Sequence, residues 1–130
     1  MPDRSYDLHG IRIFECGAEG PLLRSDRDAA DLLPTAWSHH AVMIVLPVGR
    51  LGDSFFEIGT RIAGEIIQKF VIYHMRVAIV GEISQYLAKS PALRDFVRET
   101  NRGNQAWFVA SLEELDKRLR DSQFECGDER

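Results

Sequence analysis

The stretch that decides the fold of this chain is Ala41-Val42-Met43-Ile44-Val45-Leu46. All six residues are apolar, and Pro47 and Gly49 follow the run. A strand that is covered on both faces of a parallel sheet has this uninterrupted apolar pattern. A second run, Val77-Ala78-Ile79-Val80, ends at Gly81. The two runs therefore predict two central strands of one sheet.

Helical patterns alternate with the predicted strands. Apolar residues recur at steps of three and four from Ile58 to Phe70, which predicts a long amphipathic helix. Ser90-Pro91 is typical of a helix start, and Gly103 predicts a left-handed glycine cap at the end of that helix. The other predicted elements are strands at Ser5–Leu8, Ile11–Cys16 and Ala106–Val109, and helices beginning near Asp26 and after Ser111.

The order of these elements predicts a single α/β domain. Strands that alternate with helices form parallel pairs, because a parallel neighbour needs a long return connection. We therefore expect one mixed, mostly parallel five-stranded sheet with four helices and an N-terminal hairpin. The predicted domain covers residues 1–121, and residues 122–130 are predicted to form a flexible C-terminal tail.

Composition narrows the classes of partner. The chain has 130 residues and a net charge of −4, the wrong sign for broad attraction to nucleic acid. The longest apolar run, residues 41–48, is far shorter than the ~20 residues of a membrane span, and the first residues lack the apolar core of a secretory signal. We therefore expect a cytoplasmic protein. Cys16 and Cys126 have no second cysteine or histidine at zinc-ligand spacing, so we expect no metal and no cofactor.

The carboxyl ends of the strands supply one set of candidate binding residues. In a parallel sheet the ligand crevice lies beyond these ends, where Gly81, Glu82 and Ser84 follow a predicted central strand. Glu57 and Asn101-Arg102 are further candidates, although the sequence does not place them at this edge. The glycines do not form a nucleotide-binding fingerprint, which needs several of them in one turn.

The segment Asp53 to Thr60, predicted as the start of the long helix, supplies a second set. The hydroxyl of Ser54 or Thr60 would lie near the positive end of the helix dipole, where a phosphate is tolerated. Thr60 is the preferred regulatory site because it is close to Gly64, where a partner could reach bare backbone. The alternative is that the hydroxyl only caps the helix.

Several motifs resemble a known family. They are Phe55-Phe56-Glu57-Ile58, Ala63-Gly64-Glu65-Ile66-Ile67-Gln68-Lys69-Phe70, Ala78-Ile79-Val80-Gly81, Leu93-Arg94-Asp95-Phe96 and Asn101-Arg102-Gly103. This set resembles the bacterial family called domain of unknown function 4180. The resemblance implies the fold and supplies no activity. The element order is also similar to the STAS fold of anti-sigma-factor antagonists, whose long helix begins near a regulated serine; this is a likeness of fold alone.

Two functions from different classes remain open. The first is a non-enzymatic regulatory or protein-interaction module, favoured because no nucleophile and base are paired in the sequence and no catalytic residue is predicted. The second is a small-ligand or nucleotide-binding protein, or an enzyme, that uses the crevice around Gly81 and Glu82. A carboxylate with a raised pKa in that crevice would favour the second. A protein partner is expected, and a homodimer is one of the alternatives.

Overall fold

Five strands form one sheet in the order β1-β2-β3-β4-β5. The computed structural model describes residues 3–17 and 20–128, with side chains through Asp121. β1 and β2 pair antiparallel, and every later pair is parallel. β3 and β4 lie inside the sheet, which confirms the prediction from the two apolar runs. The strands are β1 Arg4–Leu8, β2 Ile11–Glu15, β3 Met43–Pro47, β4 Arg76–Val80 and β5 Ala106–Val109.

Helices cover both faces of this sheet, which explains why its central strands are apolar throughout. Residues of α1, α2 and α4 share one core cluster with Ile44 and Ile79, whereas Leu115 and Leu119 of α5 pack with Val45 on the other face. The sequence predicts four helices, and the short helix α3 is a fifth, which it does not predict. The helices are α1 Asp26–Ser38, α2 Ile62–Ile72, α3 Ser84–Lys89, α4 Pro91–Arg102 and α5 Leu112–Asp128.

The predicted hairpin is confirmed. His9 and Gly10 both have positive φ, 51° and 83°, as a two-residue turn requires if its twist is to match that of the strands. At the other end of the chain, α5 continues to Asp128 through most of the segment predicted as a tail. The domain boundary and the flexibility of that segment stay predictions, and residues 129 and 130 lie outside the described residues.

The prediction for Gly103 is wrong. Its φ of −88° and ψ of −170° are extended, and its N–H donates to the Thr100 carbonyl at 3.2 Å. Its carbonyl accepts from the Trp107 indole at 2.7 Å, so the approach to β5 fixes this backbone. Gly81, in contrast, has a positive φ of 147°. A Cβ at Gly81 would lie 2.6 Å from Val48 Cγ2, whereas one at Gly103 would come no closer than 3.8 Å to the Thr100 carbonyl.

These two glycines make a matched pair for a stability measurement. We expect Gly81→Ala to lower the free energy of unfolding by about 1–3 kcal/mol, because it adds both backbone strain and a steric clash. Gly103→Ala is expected to change it by less than about 0.5 kcal/mol, since neither strain nor a clash arises there. Urea denaturation of both variants measures the difference. Equal losses would contradict the assigned backbone at one of the two positions.

Candidate functional site

Four of the predicted binding residues meet at the carboxyl ends of β4 and β5. Gly81, Glu82, Ser84 and Asn101 line one cavity of about 240 Å³. This volume is below the roughly 300–1,000 Å³ of most small-molecule sites. Arg102 is not part of the lining and pairs with Glu99 of its own helix at 3.2 Å.

Asn101 is engaged with the edge of the sheet. Its Oδ1 accepts from the Phe108 N–H at 2.7 Å, and its Nδ2 lies 3.3 Å from the Phe108 carbonyl. β5 is an edge strand, so these backbone groups have no neighbouring strand to bond with. The Asn101 amide therefore satisfies the edge of the sheet and leaves little hydrogen-bonding capacity for a ligand.

Glu82 has a helix-capping geometry. Its carboxylate accepts from the Ser84 N–H at 2.9 Å, at the start of α3. Hydrogen bonds from the Ser84 hydroxyl and then from its backbone lower the pKa of Glu82. A general acid in this cavity would need a raised pKa. The direction of the shift is therefore opposite to the one that a general acid at Glu82 would need.

Glu57 lies in a different cleft. This cleft has a volume of about 550 Å³ and is also lined by Asp53, Phe56 and Tyr86. The Phe56 and Tyr86 rings stack with centroids 4.3 Å apart, and the Tyr86 hydroxyl donates to Asp53 Oδ1 at 2.7 Å. These contacts tie the segment after β3 to α3. The structure therefore separates Glu57 from the other candidate ligand residues.

The prediction that the segment Asp53 to Thr60 forms the start of the long helix is wrong. This segment forms two 3₁₀ turns, Asp53–Phe56 and Ile58–Thr60, and α2 begins only at Ile62 after a left-handed Arg61. The physical reason is the burial of the aromatic pair Phe55 and Phe56, which draws the segment onto the core.

Thr60 links these turns to the helix. Its Oγ1 lies 2.8 Å from the Ser54 carbonyl and 2.7 Å from the Glu57 carbonyl, and it accepts from the Ile62 N–H at 3.3 Å. The Ser54 side chain is exposed. This geometry is that of a structural threonine, and modification of either hydroxyl stays a prediction.

A groove of about 600 Å³ runs along the outer face of α2. Its lining includes the apolar residues Ile58, Ile72 and Phe96, together with Gly64 and Gln68. A Cβ at Gly64 would meet no atom within 4 Å, so the helix backbone is open to the groove. The groove is bordered by charged residues, namely Asp26, Arg61, Glu65 and Lys69.

Sequence reasoning missed an exposed apolar patch next to this groove. Ile72 is 56% exposed, and Trp37 and Tyr73 are each 46% exposed. The Trp37 and Tyr73 rings meet edge to face with centroids 6.0 Å apart. The sequence does carry one sign of this patch. Ile72 does not continue the spacing of three and four residues between apolar positions, which ends at Phe70. We call Trp37, Ile72 and Tyr73 the apolar patch.

Comparison with known proteins assigns the family. The model of the domain of unknown function (DUF4180) matches residues 8–119, from the end of β1 into α5. The chain belongs to the DUF4180 family. No curated protein and no solved structure matches it. The match confirms the family resemblance, whereas the likeness of this DUF4180 domain to the STAS fold stays a prediction.

Cys16 is a buried thiol in this DUF4180 domain. Burial raises its pKa to about 12 from the ordinary 9.0, with a further contribution from Asp3. At pH 8 the thiolate, which is the reactive form, is therefore scarce. Within the described part of the chain, no three His, Cys, Asp or Glu side chains come together to hold a metal, and no helix is long and apolar enough to span a bilayer.

The role of Asn101 can be tested by stability. We expect Asn101→Ala to lower the free energy of unfolding by about 1–2 kcal/mol, because both backbone groups of Phe108 lose their partner. Asn104→Ala, at an exposed asparagine in the following loop, is the control and should leave stability nearly unchanged. Thermal melts measure both. An Asn101→Ala domain as stable as the control would contradict the structural role.

The state of Cys16 can be tested by alkylation in the Cys126→Ser variant, where it is the remaining cysteine. We expect iodoacetamide to label Cys16 in urea and not in the folded domain at pH 8. The stability due to the protonated thiol is fully present below pH 9.0 and is lost as pH rises toward 12, because the unfolded chain releases its proton first.

The matched control for the pH dependence is Cys16→Ala in the same background. Its melting temperature should fall less steeply above pH 9. Rapid alkylation of the folded domain, or the same pH dependence in both variants, would show that the thiol is accessible or that its pKa is ordinary.

Proposed function

We propose that this DUF4180 domain is a non-enzymatic protein-interaction module that binds its partner on the outer face of α2. The proposal includes a cytoplasmic location and rests mainly on one observation: Gly64 exposes helix backbone in an apolar groove. Protein interfaces commonly combine an apolar centre with a polar rim. The groove has this arrangement.

Gly64 has no explanation within the fold of a single chain. Glycine inside a helix is less favourable than alanine by roughly 0.5–1 kcal/mol. Such a glycine is expected where another group approaches the backbone closely, yet among the described residues outside α2 no atom lies within 4 Å of its Cβ position. A partner that packs on α2 would use this bare backbone.

The cavity at the strand ends supports the alternative less well. It is small, the Asn101 amide is bonded to Phe108, and hydrogen bonds lower the pKa of Glu82. These features favour a structural role for its polar groups over ligand binding or proton transfer. They therefore favour an interaction module over an enzyme.

A regulatory role belongs to the same proposal. Thr60 lies between Ile58 and Arg61, which both line the groove. A phosphate on Thr60 would remove the donor that serves the Ser54 and Glu57 carbonyls and add about two negative charges beside the partner's position. Ser54 is the less favourable site because its hydroxyl is farther along the chain from the groove.

The test compares partner capture by Gly64→Arg with capture by the unchanged domain. The arginine would fill the groove without a clash inside the domain, so we expect capture to be lost while the melting temperature is kept. Gly59→Arg is the matched control, because a Cβ at Gly59 also meets nothing within 4 Å and Gly59 is not part of the groove lining.

Gly64→Ala refines this test. It should raise the free energy of unfolding by roughly 0.5–1 kcal/mol and weaken capture, so that stability and binding change in opposite directions. Capture by Gly64→Arg at the level of the unchanged domain would overturn the proposed binding face.

A further inference from the structure

We infer that the partner on the α2 face is a second copy of this chain, so that the domain forms a two-fold dimer through α2. The inference rests on the proposed function, because it names the occupant of the same groove. It is carried by the shape, charge and apolar area of the surface that α2 presents.

The shape of α2 is complementary to itself. Gly64, Gln68 and Ile72 are spaced four residues apart and form one ridge on the exposed side of the helix. Ridges of this kind pack against each other in the commonest crossing of two helices, at about −50°. With the two-fold axis at Gln68, the projecting Ile72 of each copy lies over the bare backbone at Gly64 of the other. In a two-fold interface both copies use the same surface, so that surface must carry both the projecting group and the site that receives it.

The charges around the groove permit this pairing. A two-fold axis brings identical surfaces together, so a rim of one sign would repel its copy. Here Arg61 and Lys69 are cationic, and Asp26 and Glu65 are anionic. Lys69 already lies 3.7 Å from Asp26 within one chain. The rim therefore has no net charge, so its charges do not prevent two copies from associating.

The apolar patch extends the contact area. Ile72 belongs both to the groove lining and to the patch, so the two surfaces are continuous. Two aromatic side chains that are about half exposed offer roughly 200 Å² of surface. A stable interface takes about 800 Å² from each partner, so the patch offers about a quarter of that area and the groove adds to it. We therefore expect a dimer that dissociates on dilution.

The first experiment is sedimentation velocity of the unchanged domain over a wide range of concentration. We expect a concentration-dependent dimer. Ile72→Lys should weaken the dimer by about tenfold or more, because it buries a charge where Ile72 packs over Gly64 of the other copy. Leu22→Lys is the matched control, since Leu22 is also an exposed large apolar residue, at 37%, and lines a different cavity. It should dimerise like the unchanged domain.

The second experiment tests the two-fold axis and does not depend on how well Ile72→Lys folds. In a Cys126→Ser background, Gln68→Cys should form a disulfide-linked dimer under mild oxidation, because the two Gln68 positions face each other across the axis. Leu22→Cys should not. Cys16 is buried and does not compete.

The outcomes separate the two proposals. A domain that is monomeric at every concentration overturns the proposal that the partner is a second copy. A dimer that Ile72→Lys does not weaken and that Gln68→Cys does not crosslink overturns the proposed α2 interface. If such a monomer still captures a different protein and Gly64→Arg abolishes that capture, the proposed function stands without the dimer. If Gly64→Arg affects neither association nor capture, both proposals fail.

Discussion

The parallel pairing of β3 with β4, buried on both faces, is the constraint on which the rest of this structure depends. Ile44, Leu46 and Ala78 are 0% exposed, and the register aligns Val45 with Ala78 and Leu46 with Ile79. Apolar strands in this position are stable only if helices remove both faces of the sheet from water. The chain satisfies this requirement unequally, because three connecting helices cover one face and α5 covers the other.

This arrangement determines where an interaction surface can form. The strands follow one another in sequence order, so α2, which connects β3 to β4, lies between α1 and the α4 segment in the helical layer. Its inner residues Ala63, Ile66 and Phe70 belong to the core, and its outer residues face away from the domain. The groove at Gly64 is therefore a consequence of the topology, and its apolar lining is the feature that folding does not explain.

The carboxyl ends of β4 and β5 have a structural role, unlike the outer face of α2. Parallel sheets often bind ligands there, but here the polar groups at this edge bond to the protein itself. Asn101 completes the edge of β5, and Glu82 caps α3. Each of these side chains has the chemistry of a binding residue and acts within the fold. The proposed interaction function on the helical layer would leave this edge free to be structural.

The sequence by itself determined the features that depend on neighbouring residues. Apolar periodicity predicted the strands and the helical layer, and local caps predicted helix starts: Ser90 accepts from the Leu93 N–H at 3.1 Å, and Ser111 accepts from the Glu114 N–H at 3.2 Å. The place of Gly81, Glu82 and Ser84 at the carboxyl end of β4 also follows from strand order, whereas only the structure brings Asn101 to them. These interactions join residues that are a few positions apart or that follow neighbouring strands, so their pattern can be recognised in the sequence.

Tertiary structure decided the features that depend on distant contacts. Burial of Phe55 against Phe108, with centroids 6.5 Å apart, turned a predicted helix start into 3₁₀ turns. Ile72 of α2 was left 56% exposed. Each of these features depends on whether a residue far away in the chain makes a contact. No local sequence pattern encodes which of these contacts form.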